Sequence, residues 1–98
     1  MTKQMKVMVK EIIEKDLSIR EIFEIMQSLS FVLNDRKNRD FFIQKRFLED
    51  DAEIKKKWDE RIKWYEDAEI EDINNAEAVL SKYELDYDAD ELLGSEKW

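Results

Sequence analysis

The feature that most constrains the fold of this chain is its lack of backbone-breaking residues. Its 98 residues include no proline and a single glycine, Gly94. Tight turns in all-β domains usually require glycine or proline, because these residues adopt the backbone angles that such turns need. Hydrophobic residues make up 43% of the sequence and charged residues another 43%, which is typical of helices with one buried face. We therefore expect an all-α fold, a small bundle of four to five helices.

Apolar residues at helical spacing predict the first two helices. The first covers residues 3–15, and the second begins at a capping box. In that box Ser18 accepts a hydrogen bond from the backbone of Glu21, and the Glu21 carboxylate accepts one from the backbone of Ser18. Leu17 and Ile22 flank the box as a hydrophobic staple. The stripe expected to face the core consists of Ile19, Ile22, Phe23, Met26, Leu29, Ser30 and Leu33.

The second helix is expected to end near Asn34, and a less regular helix follows over residues 36–48, capped by Asn34 or Asn38. Residues 49–51 form a break, after which an aspartate caps the next helix. Residues 52–83 contain no helix-breaking residue, so they form either one long helix or two helices that meet near Asp67.

One continuous helix over residues 52–83 would be about 48 Å long, which exceeds the diameter of a compact domain of this size. Such a helix is expected to pair with a second copy of the chain and so form a homodimer. The candidate interface residues are Ile62, Tyr65, Ile73 and Leu80. Residues 1–83 are then the single helical domain, and residues 84–98 are an acidic tail with a short helix that Gly94 ends.

Charge is distributed unevenly along the chain, whose formal net charge is −8. Residues 1–49 carry ten basic and eight acidic side chains, whereas residues 50–98 carry seven and seventeen. An acidic surface attracts basic partners and steers their encounter, although it also serves simply to keep a protein in solution. The candidate contacts for a basic protein are Glu66, Asp67, Glu69, Glu71, Asp72, Asp86, Asp88, Asp90 and Glu91, with Trp64 and Tyr87 as aromatic anchors.

The residues that most enzymes use for chemistry are missing. The chain contains no histidine and no cysteine, and it has neither a glycine-rich phosphate loop nor a recognisable nucleophile motif. We expect a protein that is not an enzyme and that holds no cofactor and no metal. The absence of cysteine, of a signal peptide and of a long apolar run suggests a cytoplasmic protein without a membrane partner.

Three functions fit these features. The first is a small non-catalytic module that binds a basic protein and inhibits a nucleic-acid-binding enzyme by imitating nucleic acid, as phages and other mobile elements encode. The second is a nucleic-acid-binding regulator whose contacts are Arg36, Lys37, Arg39, Lys45 and Arg46, interleaved with Phe41 and Phe42. For that segment, the favoured interpretation is that the phenylalanines face the core and the basic side chains face water. The third is an assembly component that oligomerises through its long helix.

Overall fold

The computed structural model describes residues 2–94, and these residues form four α-helices without any β-strand. The helices are α1 (Lys3–Glu14), α2 (Ile19–Leu48), α3 (Ala52–Lys82) and α4 (Ala89–Leu93). Helix accounts for 84% of this part of the chain. The all-α prediction is therefore confirmed.

The predicted capping box is present at the start of α2. The Glu21 backbone N–H donates to the Ser18 hydroxyl at 3.1 Å, and the Ser18 backbone N–H donates to the Glu21 carboxylate at 2.8 Å. These hydrogen bonds lower the pKa of the Glu21 carboxyl, because they favour its charged form. Leu17 and Ile22, the predicted staple, both pack against the core.

Replacing Ser18 with alanine is expected to lower the free energy of unfolding by about 1 kcal/mol, because the backbone N–H of Glu21 loses its acceptor. The measurement is urea unfolding followed by circular dichroism. Ser81→Ala is a matched control, since Ser81 is exposed near the end of α3 and caps no helix. Equal midpoints for Ser18→Ala and the original chain would show that the box does not stabilise α2.

Helices α2 and α3 form a long antiparallel hairpin. They have 30 and 31 residues and are joined by residues 49–51, where Asp51 caps α3 by accepting from the backbone N–H of Glu53 at 2.9 Å. Side-chain contacts join the early part of α2 to the late part of α3 and the reverse. The molecule measures 54 × 21 × 19 Å, and its radius of gyration of 16.2 Å exceeds the roughly 13 Å of a compact domain of this length.

The predicted end of the second helix is wrong. Helix α2 continues past Asn34 and Asn38 to Leu48, so neither asparagine caps a helix. For residues 52–83 the structure has the first of the two predicted alternatives, one long helix, because α3 runs through Asp67 without a break. Both helices continue because each packs along the other, which has nearly the same length. This packing stabilises segments that local sequence preferences alone would not keep helical.

The residues predicted to meet a second copy instead face the inside of the hairpin. Tyr65 stacks on Phe42 of α2 with 5.9 Å between ring centroids, and Leu80 is completely buried in the core. Ile73 packs against that core, and Ile62 is half-buried. The proposed location of an oligomer interface on this side of α3 is therefore wrong, because α2 already covers it.

The core lies at the end of the hairpin where the chain begins and where α3 ends. All four helices and the connection after α3 contribute to it. Its buried members are Met8, Ile12, Ile25, Leu29, Val32, Ala76, Leu80, Leu85, Ala89, Leu92 and Leu93. The predicted domain boundary at Tyr83 is wrong for this reason, since residues 85–93 belong to the same core. The predicted short helix before Gly94 is confirmed, and Gly94 has the positive φ of 77° that favours glycine.

The stripe of α2 that was expected to face the core is divided between two environments. Leu29 is buried, whereas Ile19, Phe23 and Met26 are exposed. Ile25 enters the core instead. The reason is that α3 covers one side of α2 and α4 covers another. The buried face of α2 is therefore rotated about the helix axis relative to the predicted stripe.

Candidate functional site

The nine carboxylates predicted to bind a basic partner are divided by the structure into two groups. Three of them have contacts inside the molecule. Glu69 and Asp90 accept hydrogen bonds from arginine side chains of α2, and Asp72 is half-buried beside Asp35. Glu69 and Asp72 are therefore poorly placed to contact a partner, whereas the Asp90 side chain pairs with Arg36 but is 67% exposed.

Arg36 and Arg39, which we call the arginine pair, connect three helices. The Arg36 guanidinium donates to Glu69 of α3 at 3.2 Å, to the Gly94 carbonyl at 2.9 Å and to Asp90 of α4. Arg39 donates to the same Glu69 carboxylate at 2.9 Å. The side chains of Arg36 and Glu69 are each only about 15% exposed, so solvent screens this contact less than a surface ion pair. The arginine pair therefore positions α4 on the hairpin.

The contacts of the basic segment argue against its use as a nucleic-acid surface. The arginine pair is committed to Glu69 and Asp90, and Arg46 forms an ion pair with Asp59. The Lys45 ammonium lies 5.5 Å from the centre of the Phe41 ring. Lys37 is exposed and forms no ion pair within residues 2–94. Few of the predicted phosphate contacts are thus available for binding a nucleic acid.

The phenylalanines of this segment behave differently from each other. Phe42 faces α3, where its ring lies 5.4 Å from that of Trp58 and 5.9 Å from that of Tyr65. Phe41 is more than half exposed. The expectation that both rings face the core is therefore confirmed for Phe42 and wrong for Phe41.

Seven of the nine carboxylates are exposed, and the six other than Asp90 pair with no cation in the part of the chain that the structure describes. We call these six side chains the acidic surface. They are Glu66, Asp67 and Glu71 on α3, with Asp86, Asp88 and Glu91 in and before α4. Helices α3 and α4 contact each other. The acidic surface therefore spans two neighbouring elements, and no cation among the described residues neutralises it.

Of the two proposed aromatic anchors, only Trp64 is freely available. Its side chain is 57% exposed and packs edge-to-face on Tyr65 at 4.7 Å. Helical spacing places Trp64 on the same outward face of α3 as Asp67 and Glu71. Tyr87 is half-buried against the core. Desolvation, followed by the nearby charges of Glu11 and Asp86, raises the pKa of its phenol.

A buried carboxyl that sequence reasoning missed lies between α2 and α3. Asp35 is only 9% exposed, and its Oδ2 atom receives no hydrogen bond from a nitrogen or hydroxyl donor within residues 2–94. Desolvation raises the pKa of the Asp35 carboxyl to about 7, and a hydrogen bond with Asp72 and the charges of Asp72 and Glu69 act in the same direction. These surroundings favour the protonated form of the Asp35 carboxyl. An aspartate in the middle of an amphipathic helix gives no sequence signal of this role, because the neighbouring carboxylate is 37 residues away along the chain.

No family model, curated protein or solved structure matches this chain. Within residues 2–94, no helix combines the length and the apolar character needed to cross a bilayer. The same residues hold no cluster of three or more side chains suited to binding a metal ion. The main chemical features of the surface are an acidic and aromatic face on α3 and exposed apolar side chains on α2.

Proposed function

We propose that this protein is a small non-catalytic interaction module whose acidic surface binds a protein rich in lysine and arginine. The observation that supports this most strongly is how the charges are divided. The arginine pair neutralises Glu69 and Asp90, while the six carboxylates of the acidic surface pair with no cation of residues 2–94. Exposed carboxylates next to a half-exposed tryptophan match the composition of protein interfaces, in which an aromatic anchor sits inside a charged rim.

The partner class that fits best is a nucleic-acid-binding enzyme with an open basic channel. An elongated, acidic rod can occupy such a channel in place of a nucleic acid and thereby inhibit the enzyme. The carboxylates of α3 and α4 extend over two elements and do not form one straight row. This arrangement favours a broad electrostatic field with Trp64 as the anchor over a strict copy of the phosphate spacing. A cytoplasmic accessory protein of a phage or another mobile element would have this character.

The two kinds of contact are expected to affect different rate constants. Exposed charges at a rim mainly raise the rate of association, whereas a desolvated anchor mainly sets the rate of dissociation. Trp64→Ala should therefore speed dissociation. Binding should also weaken as salt rises, because screening shortens to about 8 Å at physiological ionic strength.

The double variant Asp67→Lys with Glu71→Lys tests the acidic surface. Its partner would first be captured through a photo-reactive group placed at exposed position 60, one turn before Trp64 on α3, and identified by mass spectrometry. Against that partner, the variant is expected to associate about tenfold more slowly, with a smaller change in dissociation. The measurement is surface plasmon resonance at two salt concentrations.

The matched control is Glu14→Lys with Glu53→Lys, which makes the same change in net charge at two exposed carboxylates outside the acidic surface. The control should associate at nearly the original rate. Equal slowing by both double variants would mean that only net charge matters. Unchanged rates for the Asp67 and Glu71 variant would show that the acidic surface does not bind the partner.

A further inference from the structure

The outward side of α2 carries a row of exposed apolar residues along its whole length. Its members are Ile19, Phe23, Met26, Phe41 and Leu48, with exposed fractions from 54% for Phe41 to 86% for Ile19. At 3.6 residues per turn, these five side chains lie within an arc of about 60°. We call this row the α2 stripe. The members form two apolar groups, one at each end of α2, with polar positions between them. Exposed apolar groups of this kind often mark an interaction surface.

The α2 stripe carries no carboxylate, in a chain whose residues are 43% charged. The polar positions along it are Ser30, Asn34, Lys37 and Gln44, and the Lys45 ammonium lies over the ring of Phe41. Between residues 22 and 34 the one charged side chain is Glu24, which accepts hydrogen bonds from Lys82 at the end of α3 and from Tyr83, the residue that follows it. The face is therefore mainly apolar and its few charges are positive, which is the opposite of the acidic surface.

We propose that the α2 stripe binds a second copy of this chain. Each copy has a formal net charge of −8, so two copies repel each other wherever their carboxylates meet. The α2 stripe lacks carboxylates, and apolar contact there meets the least electrostatic opposition. A basic partner would find no carboxylate to pair with on this face, whereas a second copy supplies matching apolar groups.

The pattern of the stripe is self-complementary when two copies lie antiparallel. Ile19 and Leu48 lie at equal distances from the middle of α2, and so do Met26 and Phe41. A two-fold axis near Asn34 therefore brings Ile19 of one copy to Leu48 of the other, and Met26 to Phe41. Such an isologous contact closes as a dimer. The antiparallel orientation also sets opposite ends of the helix dipoles beside each other.

The dimer would present two acidic surfaces at once. The outward face of α3 points away from α2, so pairing through α2 leaves Trp64, Asp67 and Glu71 free in both copies. A partner with two basic sites would then bind more tightly than a single contact allows. The assembly itself does not depend on the proposed partner, because it is measured with this protein alone.

Sedimentation of the purified protein in a concentration series up to about 100 μM tests the assembly. The original chain is expected to sediment as a dimer of twice its 11.9 kDa mass. The variant Met26→Asp with Phe41→Asp places four carboxylates in the interface and should raise the dissociation constant about a hundredfold or more. Both positions are more than half exposed, so circular dichroism should show unchanged helix content.

Ile70→Asp is the matched control. Ile70 is 61% exposed on α3, close to the 63% of Met26, but it lies outside the α2 stripe and should leave the dimer intact. Three outcomes would overturn the proposal: a monomeric original chain throughout the series, a dimer that survives the double substitution, or dissociation caused by Ile70→Asp.

Disulfide formation tests the antiparallel orientation, since the chain has no cysteine of its own. Asn34→Cys lies near the two-fold axis and should cross-link to its own copy on oxidation. Ile19→Cys should not, because antiparallel copies hold these positions about 40 Å apart at 1.5 Å per residue. Efficient cross-linking of Ile19→Cys to itself would instead show parallel pairing.

Discussion

Replacing Leu92 with alanine is expected to lower the free energy of unfolding by about 2–5 kcal/mol, the usual cost of truncating a fully buried leucine. Leu92 has no exposed surface and lies in the core with Leu80 and Leu85. Its carbonyl accepts a hydrogen bond from Thr2, the residue that caps α1, at 2.6 Å. The substitution therefore weakens the packing of α4 and the contact between the two ends of the chain. A loss of this size is a large part of the roughly 5–15 kcal/mol that stabilises a typical domain.

Glu91→Ala is the control for Leu92→Ala, because the neighbouring Glu91 is exposed and has no contact in the core. Urea unfolding of both variants at one pH gives the comparison. Glu91→Ala should change the free energy of unfolding by only a few tenths of a kcal/mol, as surface substitutions do. If Leu92→Ala had an equally small effect, residues 84–94 would be the loosely attached tail that the acidic composition alone suggests.

The free energy of unfolding is expected to fall as the pH rises from 5 to 8, because of Asp35. The pKa of this carboxyl is about 7 in the folded protein, against its ordinary value of 3.8. Between these values the folded state holds a proton that the unfolded state has released, so raising the pH favours unfolding. The contribution of Asp35 to the free energy of unfolding is fully present below pH 3.8 and is lost as the pH rises through 7. Its upper limit is roughly 4 kcal/mol.

Asp35→Asn should remove most of this pH dependence. An amide has nearly the size of the carboxyl and can donate a hydrogen bond to Asp72, but it carries no charge to desolvate. The gain in stability of the variant over the original chain should therefore be larger at pH 8 than at pH 5. Urea unfolding at four pH values between 5 and 8 measures the two slopes.

Asp67→Asn is the control for the pH experiment, since Asp67 is exposed on α3 and its substitution should leave the slope unchanged. A flat profile for the original chain would show that Asp35 ionises normally. The same conclusion would follow if Asp35→Asn and the original chain lost stability in parallel as the pH rises.

Part of the candidate site followed from the sequence, and part did not. The acidity of residues 66–91 and the outward position of Trp64 were readable from composition and helical spacing. The internal role of Glu69 and Asp90 was not, because their partner Arg36 is 33 and 54 residues away along the chain. Only the hairpin brings these groups together, so no local pattern separates carboxylates that bind arginine from those that remain free.

The sequence by itself determined the features that neighbouring residues control. The absence of proline led to helices, Ser18 and Glu21 started α2, Asp51 started α3, and Gly94 ended α4. Each depends on hydrogen bonds or backbone angles within a few residues. Only the tertiary structure decided that α2 continues past Asn34, that residues 85–93 enter the core and that Met26 faces outward. These outcomes depend on packing between segments far apart in the chain, and that packing energy exceeds the small local preferences that the sequence displays.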